Sequence, residues 1–163
     1  MAGLARHSII VPVVAFSLVL ATSRLAAGQD FADGLAAYDA GDYASSLAVW
    51  LPLAEAGNSE AQLAVAGLYL SGLGVARRPE EAARWYGHAA AAGDPVAQLN
   101  LGDLYARGVG VPADPIRAYL WFSLAAEQGR AWAARRRDEI SRRLTPRQLA
   151  AARALIARHQ PRE

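Results

Sequence analysis

The sequence contains no cysteine, and its 17 basic side chains are all arginine. Without a thiol there is no disulfide, no thiolate metal site, no cysteine nucleophile and no lipidated N-terminal cysteine. Such a chain tolerates oxidising surroundings. Histidine is nearly as scarce. His7 and His159 lie near the two ends, and His88 has no His or carboxylate four residues on, the spacing by which a helix holds a metal. Glu80 and Glu81 are adjacent, which suits the first turn of a helix and its dipole rather than an acid–base pair. Gly72-x-Gly74 and Gly108-x-Gly110 lack both a preceding strand and the third glycine of a dinucleotide fingerprint. The residues therefore suggest no enzyme, no cofactor and no metal.

Long apolar runs are also missing, with one exception. Ser8 to Ala21 is apolar apart from Pro12 and Ser17, follows Arg6 and His7, and precedes Ala26-Ala27-Gly28. A basic start, a short apolar stretch and small residues at a cleavage point are the parts of a secretory signal peptide. The run is shorter than the ~20 residues a membrane-spanning helix needs. The expectation is export with cleavage before Gln29, leaving no stable membrane span and a periplasmic or secreted protein.

Charge is balanced overall and polarised along the chain. The formal total is +2. From Gln29 to Gly129 five arginines face twelve acids, a net of −7; from Arg130 to Glu163 ten arginines face three acids, a net of +7. A basic segment on an acidic body serves as a solvated face, an internal match or a site for an anionic partner. Nucleic acid is not expected, because the arginine segment lacks interleaved aromatics on which bases stack.

What the chain does have is a repeat. Ala61, Leu68-Tyr69, Gly72, Gly74-Val75, Ala82, Trp85-Tyr86, Ala89-Ala90 and Gly93 recur 36 residues later as Ala97, Leu104-Tyr105, Gly108, Gly110-Val111, Ala118, Trp121-Phe122, Ala125-Ala126 and Gly129. A period in this range, built of helix formers and punctuated by glycine, predicts an all-α solenoid of stacked helical hairpins. Asp94-Pro95 and Asp114-Pro115 are helix starts with proline at the first helical position. Ala61, Val65, Leu68 and Tyr69 form one apolar stripe, as do Ala97, Leu101, Leu104 and Tyr105. On the second helices, bulky Trp85-Tyr86 alternates with alanines, a pattern for interlocking packing.

These residues resemble the Sel1-like repeat, a relative of the tetratricopeptide repeat with a longer glycine-bearing loop. The resemblance divides the chain into a leader over 1–28, a degenerate hairpin over 29–57, repeats over 58–93 and 94–129, and basic capping helices over 130–163. Pro52 falls inside the second helix of the degenerate hairpin and is expected to kink or loosen it. By comparison with tetratricopeptide proteins, the first helices line a groove for a protein or peptide partner. Its candidate positions are Glu60, Leu63 and Leu70 in one unit, and Val96, Leu99, Asn100, Asp103 and Arg107 in the next, with Gln62 and Gln98 near the rim. The implied function is a scaffold or regulatory interaction module. An alternative is an accessory factor gripping an anionic envelope polysaccharide through Arg130, Arg135, Arg136 and Arg137 with Arg142, Arg143 and Arg147; inhibition of an envelope enzyme is a third.

Overall fold

The computed structural model describes residues 30–159. The leader expected over residues 1–28 lies outside them. The described residues form eight helices and no strand: α1 (30–39), α2 (Tyr43–Glu55), α3 (Ser59–Ser71), α4 (Pro79–Ala91), α5 (Pro95–Arg107), α6 (Pro115–Glu127), α7 (Ala131–Ser141) and α8 (Pro146–His159). From α2 to α7 each helix packs against the next, and α8 turns back onto α6. The array is an α-solenoid whose first helices (α1, α3, α5, α7) alternate with second helices (α2, α4, α6).

The helix boundaries follow from capping chemistry. Asn58 accepts a hydrogen bond from the Ala61 amide, Asp94 from those of Val96 and Ala97, and Asp114 from those of Ile116 and Arg117. Each satisfies donors that the first turn leaves open, and each such cap contributes about 1 kcal/mol. Pro52 does not break its helix. α2 runs through it to Glu55, because a proline only three residues before the end forfeits one backbone bond while Trp50 and Ala54 stay buried on either side.

The long loops lock neighbouring units together. Gly110 has φ +69°, and a Cβ there would stand 2.8 Å from the Glu80 amide nitrogen and closer still to the Pro79 carbonyl, at the start of the previous unit's second helix. Gly74 has φ +67°, and its Cβ would meet the backbone of Tyr43 and Ala44, the same place one unit earlier. Glycine serves twice at these positions, for the left-handed backbone and for the close approach.

The core carries the repeat into three dimensions. Ala61, Ala97 and Ala133 are spaced by 36 and are all fully buried, so α7 is a first-type helix of a third, incomplete unit. Trp50, Tyr86 and Phe122 share the same spacing and are buried. Trp50 closes on Gly34 and Phe122 on Gly102, since a Cβ at either glycine would lie under 3 Å from the ring. Gly34, Ala66 and Gly102 are therefore one structural position, although the shorter first loop puts Gly34 only 32 residues before Ala66. That equivalence explains the N-terminal cap. Asp33 and Ala36 are exposed where Val65 and Leu68, then Leu101 and Leu104, are buried against a preceding hairpin. Among the described residues no hairpin precedes α1, and polar or small residues stand at these positions.

Candidate binding groove

Counting from the Gly34, Ala66 and Gly102 position places equivalent side chains on one face of the first helices. α1 contributes Phe31, Leu35 and Tyr38, α3 contributes Leu63, Gly67 and Leu70, α5 contributes Leu99, Asp103 and Ala106, and α7 with its C-cap contributes Arg135, Glu139 and Arg142. One ion pair links α7 to α5 beside this face. Arg136 of α7 reaches Asp103 of α5 at 3.7 Å, and Asp103 also pairs with Arg107 at 3.0 Å.

Among the described residues, three large hydrophobic side chains are exposed: Leu35 at 46%, Tyr38 at 38% and Trp132 at 44%. Leu35 and Tyr38 belong to this face, and Trp132 stands beside it, edge-on to Phe122 at 6.1 Å. Leu35 and Tyr38 occupy the positions of Gly67 and Leu70, and Trp132 lies 36 residues after Val96, itself a candidate groove position. Water-exposed apolar surface gathered on and beside one face of a repeat array marks a binding surface.

The groove positions foreseen from sequence differ in their surroundings. Glu60 and Arg107 are exposed, and Val96 and Asn100 are half-buried. Leu63 and Leu70 are half-buried against the main core, and Leu99 packs beside Phe122 and Ala133 in a second cluster, so these leucines support the groove and line it at once. Gln62 and Gln98 are not at the rim. Both are buried, and their side-chain amides donate to the carbonyls of Ala54 and Ala90, 8 residues back. Where consecutive hairpins abut, these carbonyls at the end of a second helix accept from the Gly57 and Gly93 amides, and a long amide on the next helix supplies a second donor. Gln128 completes the second of these clusters by donating to Gln98 and to the Gly93 carbonyl.

The arginines foreseen as a patch differ in exposure and pairing. The Arg136 guanidinium is half-buried, lies 5.7 Å from the Phe122 ring centroid and 5.5 Å from that of Trp132, and pairs with Glu139 at 2.6 Å. Arg137 pairs with Asp138 at 2.8 Å. Arg130, Arg135, Arg142, Arg143 and Arg147 are exposed; of these, Arg135, Arg142 and Arg143 flank the groove at its α7 end, and Arg147 is on α8.

α8 covers the opposite side of the last hairpin. Leu155 and Ile156 pack onto the core, and His159 stands edge-on to Trp121 at 5.5 Å. Beside it, Gln98, Trp121, Leu124 and Gln128 border an open cleft of about 420 Å³. One unit earlier, Gln62, Trp85 and His88 border a smaller one of about 250 Å³. Both follow from the repeat geometry. No group of three or more His, Asp or Glu among the described residues is arranged to hold a metal ion, and no described helix is long and apolar enough to cross a membrane.

Comparison with known proteins agrees with this geometry. The family model described as Sel1 repeat matches residues 59–94 and 95–129. Among solved structures, the chain is similar to a protective antigen present in uropathogenic Escherichia coli strains and displaying an SLR fold, with 26% identity, a TM-score of 0.76 and 82% of this chain covered. It is also similar to a Sel1 repeat protein from Oxalobacter formigenes, with 37% identity, a TM-score of 0.60 and 63% of this chain covered. The chain spans 29% of the first and 42% of the second. A comparison with curated proteins finds no match. Sel1 repeats are in general protein–protein interaction modules, and residues 59–129 of this chain are two consecutive Sel1 repeats.

Proposed function

We propose that the protein is an exported, non-catalytic interaction module that holds a protein or peptide partner on the face formed by α1, α3, α5 and α7. The observation that carries this reading is the exposure of Leu35 and Tyr38 in the groove register, two of the three exposed large hydrophobics of the described residues, with the third, Trp132, beside it. A folded array gains nothing by leaving such side chains in water, where covering each would contribute about 1.5–3 kcal/mol. Export rests on the leader-like residues 1–28, and the envelope is the compartment they favour. Scaffolding or regulation is the role that a small groove without an array of reactive side chains performs.

Affinity capture from envelope extract tests the reading. The full chain is the bait, beside Leu35→Asp on the groove and Arg84→Asp on α4, where Arg84 is exposed with its ion pair to Glu81. The expected result is a partner recovered by the parent and by Arg84→Asp and lost with Leu35→Asp. Equal recovery by all three would remove the groove from consideration.

A further inference from the structure

The groove changes character from one end to the other, and we infer that its partner is an extended segment, apolar at one end and acidic at the other, with the acidic end over α7. The inference rests on the groove reading above and adds the chemistry of the occupant. At the α1 end the face is Phe31, Leu35, Tyr38, Leu63 and Leu70, and residues 30–76 contain no basic side chain at all. At the α7 end Arg135, Arg142 and Arg143 are exposed and enter no ion pair among the described residues. Between the two lies the Arg107–Asp103–Arg136–Glu139 chain of ion pairs, in which both acids are already matched by arginines.

Charge complementarity sets the orientation. A carboxylate placed over α7 meets three cations without internal partners, whereas over α1 and α3 it meets Asp39 and Glu60, both exposed. An apolar side chain finds the reverse, with Leu35 and Tyr38 at one end and guanidinium groups at the other. Length follows from helix spacing. Four first helices about one helix diameter apart, ~10 Å, span roughly 30 Å. At about 3.3 Å per residue, an extended segment of eight or nine residues covers that distance.

The test is fluorescence anisotropy with the full chain and three labelled synthetic peptides of nine residues. The first joins an apolar half to an acidic half, the second joins the same apolar half to a lysine half, and the third carries the acidic half with a Gly-Ser half. Two exposed charge pairs give an expected preference for the first over the second of about tenfold at low salt. Arg135→Glu with Arg142→Glu, exposed on α7 and at its C-cap, reverses that preference, and Leu35→Asp with Tyr38→Asp weakens the first two peptides alike. Equal binding of the first two, lost with Leu35→Asp and Tyr38→Asp, would overturn the inference and leave the groove standing. Binding of the third as tight as the first, untouched by those substitutions, would make the arginines a separate anion site and also overturn it. Binding of none would overturn both the inference and the groove.

Discussion

Replacing Gly110 with alanine tests the claim that the long loop is the joint between units. Two penalties act at that position. The left-handed φ of +69° costs an L residue about 1 kcal/mol. The new Cβ would also sit 2.8 Å from the Glu80 amide nitrogen and closer to the Pro79 carbonyl, where ordinary contact is 3.4 Å or more. Both neighbours are backbone at the start of α4, so no side chain can swing aside, and the loop must lift from the preceding unit. Displacements of that kind cost about 1–3 kcal/mol. Gly129→Ala isolates the first penalty, because Gly129 has φ +83° and nothing within 4 Å of a built Cβ. Urea unfolding followed by circular dichroism should therefore show Gly110→Ala destabilised by about 2–4 kcal/mol and Gly129→Ala by about 1 kcal/mol. Because units couple through nearest-neighbour interfaces, Gly110→Ala should also broaden the transition as the two sides of the joint unfold separately. Equal destabilisation of the two variants would refute the loop as an inter-unit joint.

Other consequences follow from single residues. Gln98→Ala removes a second donor from the Ala90 carbonyl, which keeps the Gly93 amide, and deprives Gln128 of one acceptor, so a loss of about 0.5–1.5 kcal/mol is expected in the same urea assay, whereas Asn100→Ala should change little. A double-mutant cycle on Asp103 and Arg136 should give a coupling of about 0.5 kcal/mol, since both are partly exposed, while Arg136→Ala alone should cost more because its guanidinium also lies over Phe122 and Trp132. Burial raises the Tyr86 phenol above its ordinary value. The folded state then holds this proton more tightly than the unfolded chain, so its contribution is complete below pH ~10 and is lost as pH rises further; Tyr86→Phe should flatten the alkaline limb of a thermal-stability profile. Asp42 is shifted the other way by the Ser45 hydroxyl and amide. Its contribution is present above pH ~4 and fades as pH falls, and Asp42→Asn should remove that part of the acid dependence.

The 36-residue period was legible because packing dictates it: the same alanines, rings and loop glycines must recur wherever one hairpin meets the next. The capping aspartates were legible for a local reason, needing only the next three residues. The first hairpin hid its register. Its loop is shorter, so Gly34 precedes Ala66 by 32 residues while Trp50 precedes Tyr86 by 36, and no single spacing aligns both. Leu35 and Tyr38 went unnoticed as groove residues for that reason, although a search for a small residue flanked by Leu63-like and Leu70-like positions would have found them. Gln62 and Gln98 looked like rim residues because a buried amide is recognised only by its carbonyl partner, which lies across a hairpin junction. The arginine segment looked like one patch because linear charge density does not say that Arg136 turns inward onto Phe122 while Arg135 turns out.

The face that meets the partner can be read directly by placing a photo-activatable residue at single positions and irradiating cells that make the full chain. Leu35, Tyr38 and Trp132 sample the groove and its border, and Arg84, His88 and Ala151 sample exposed sites on α4 and α8. The account predicts one shared adduct from the first three positions and none from the other three. An adduct from Arg84, His88 or Ala151 with none from Leu35, Tyr38 and Trp132 would contradict it.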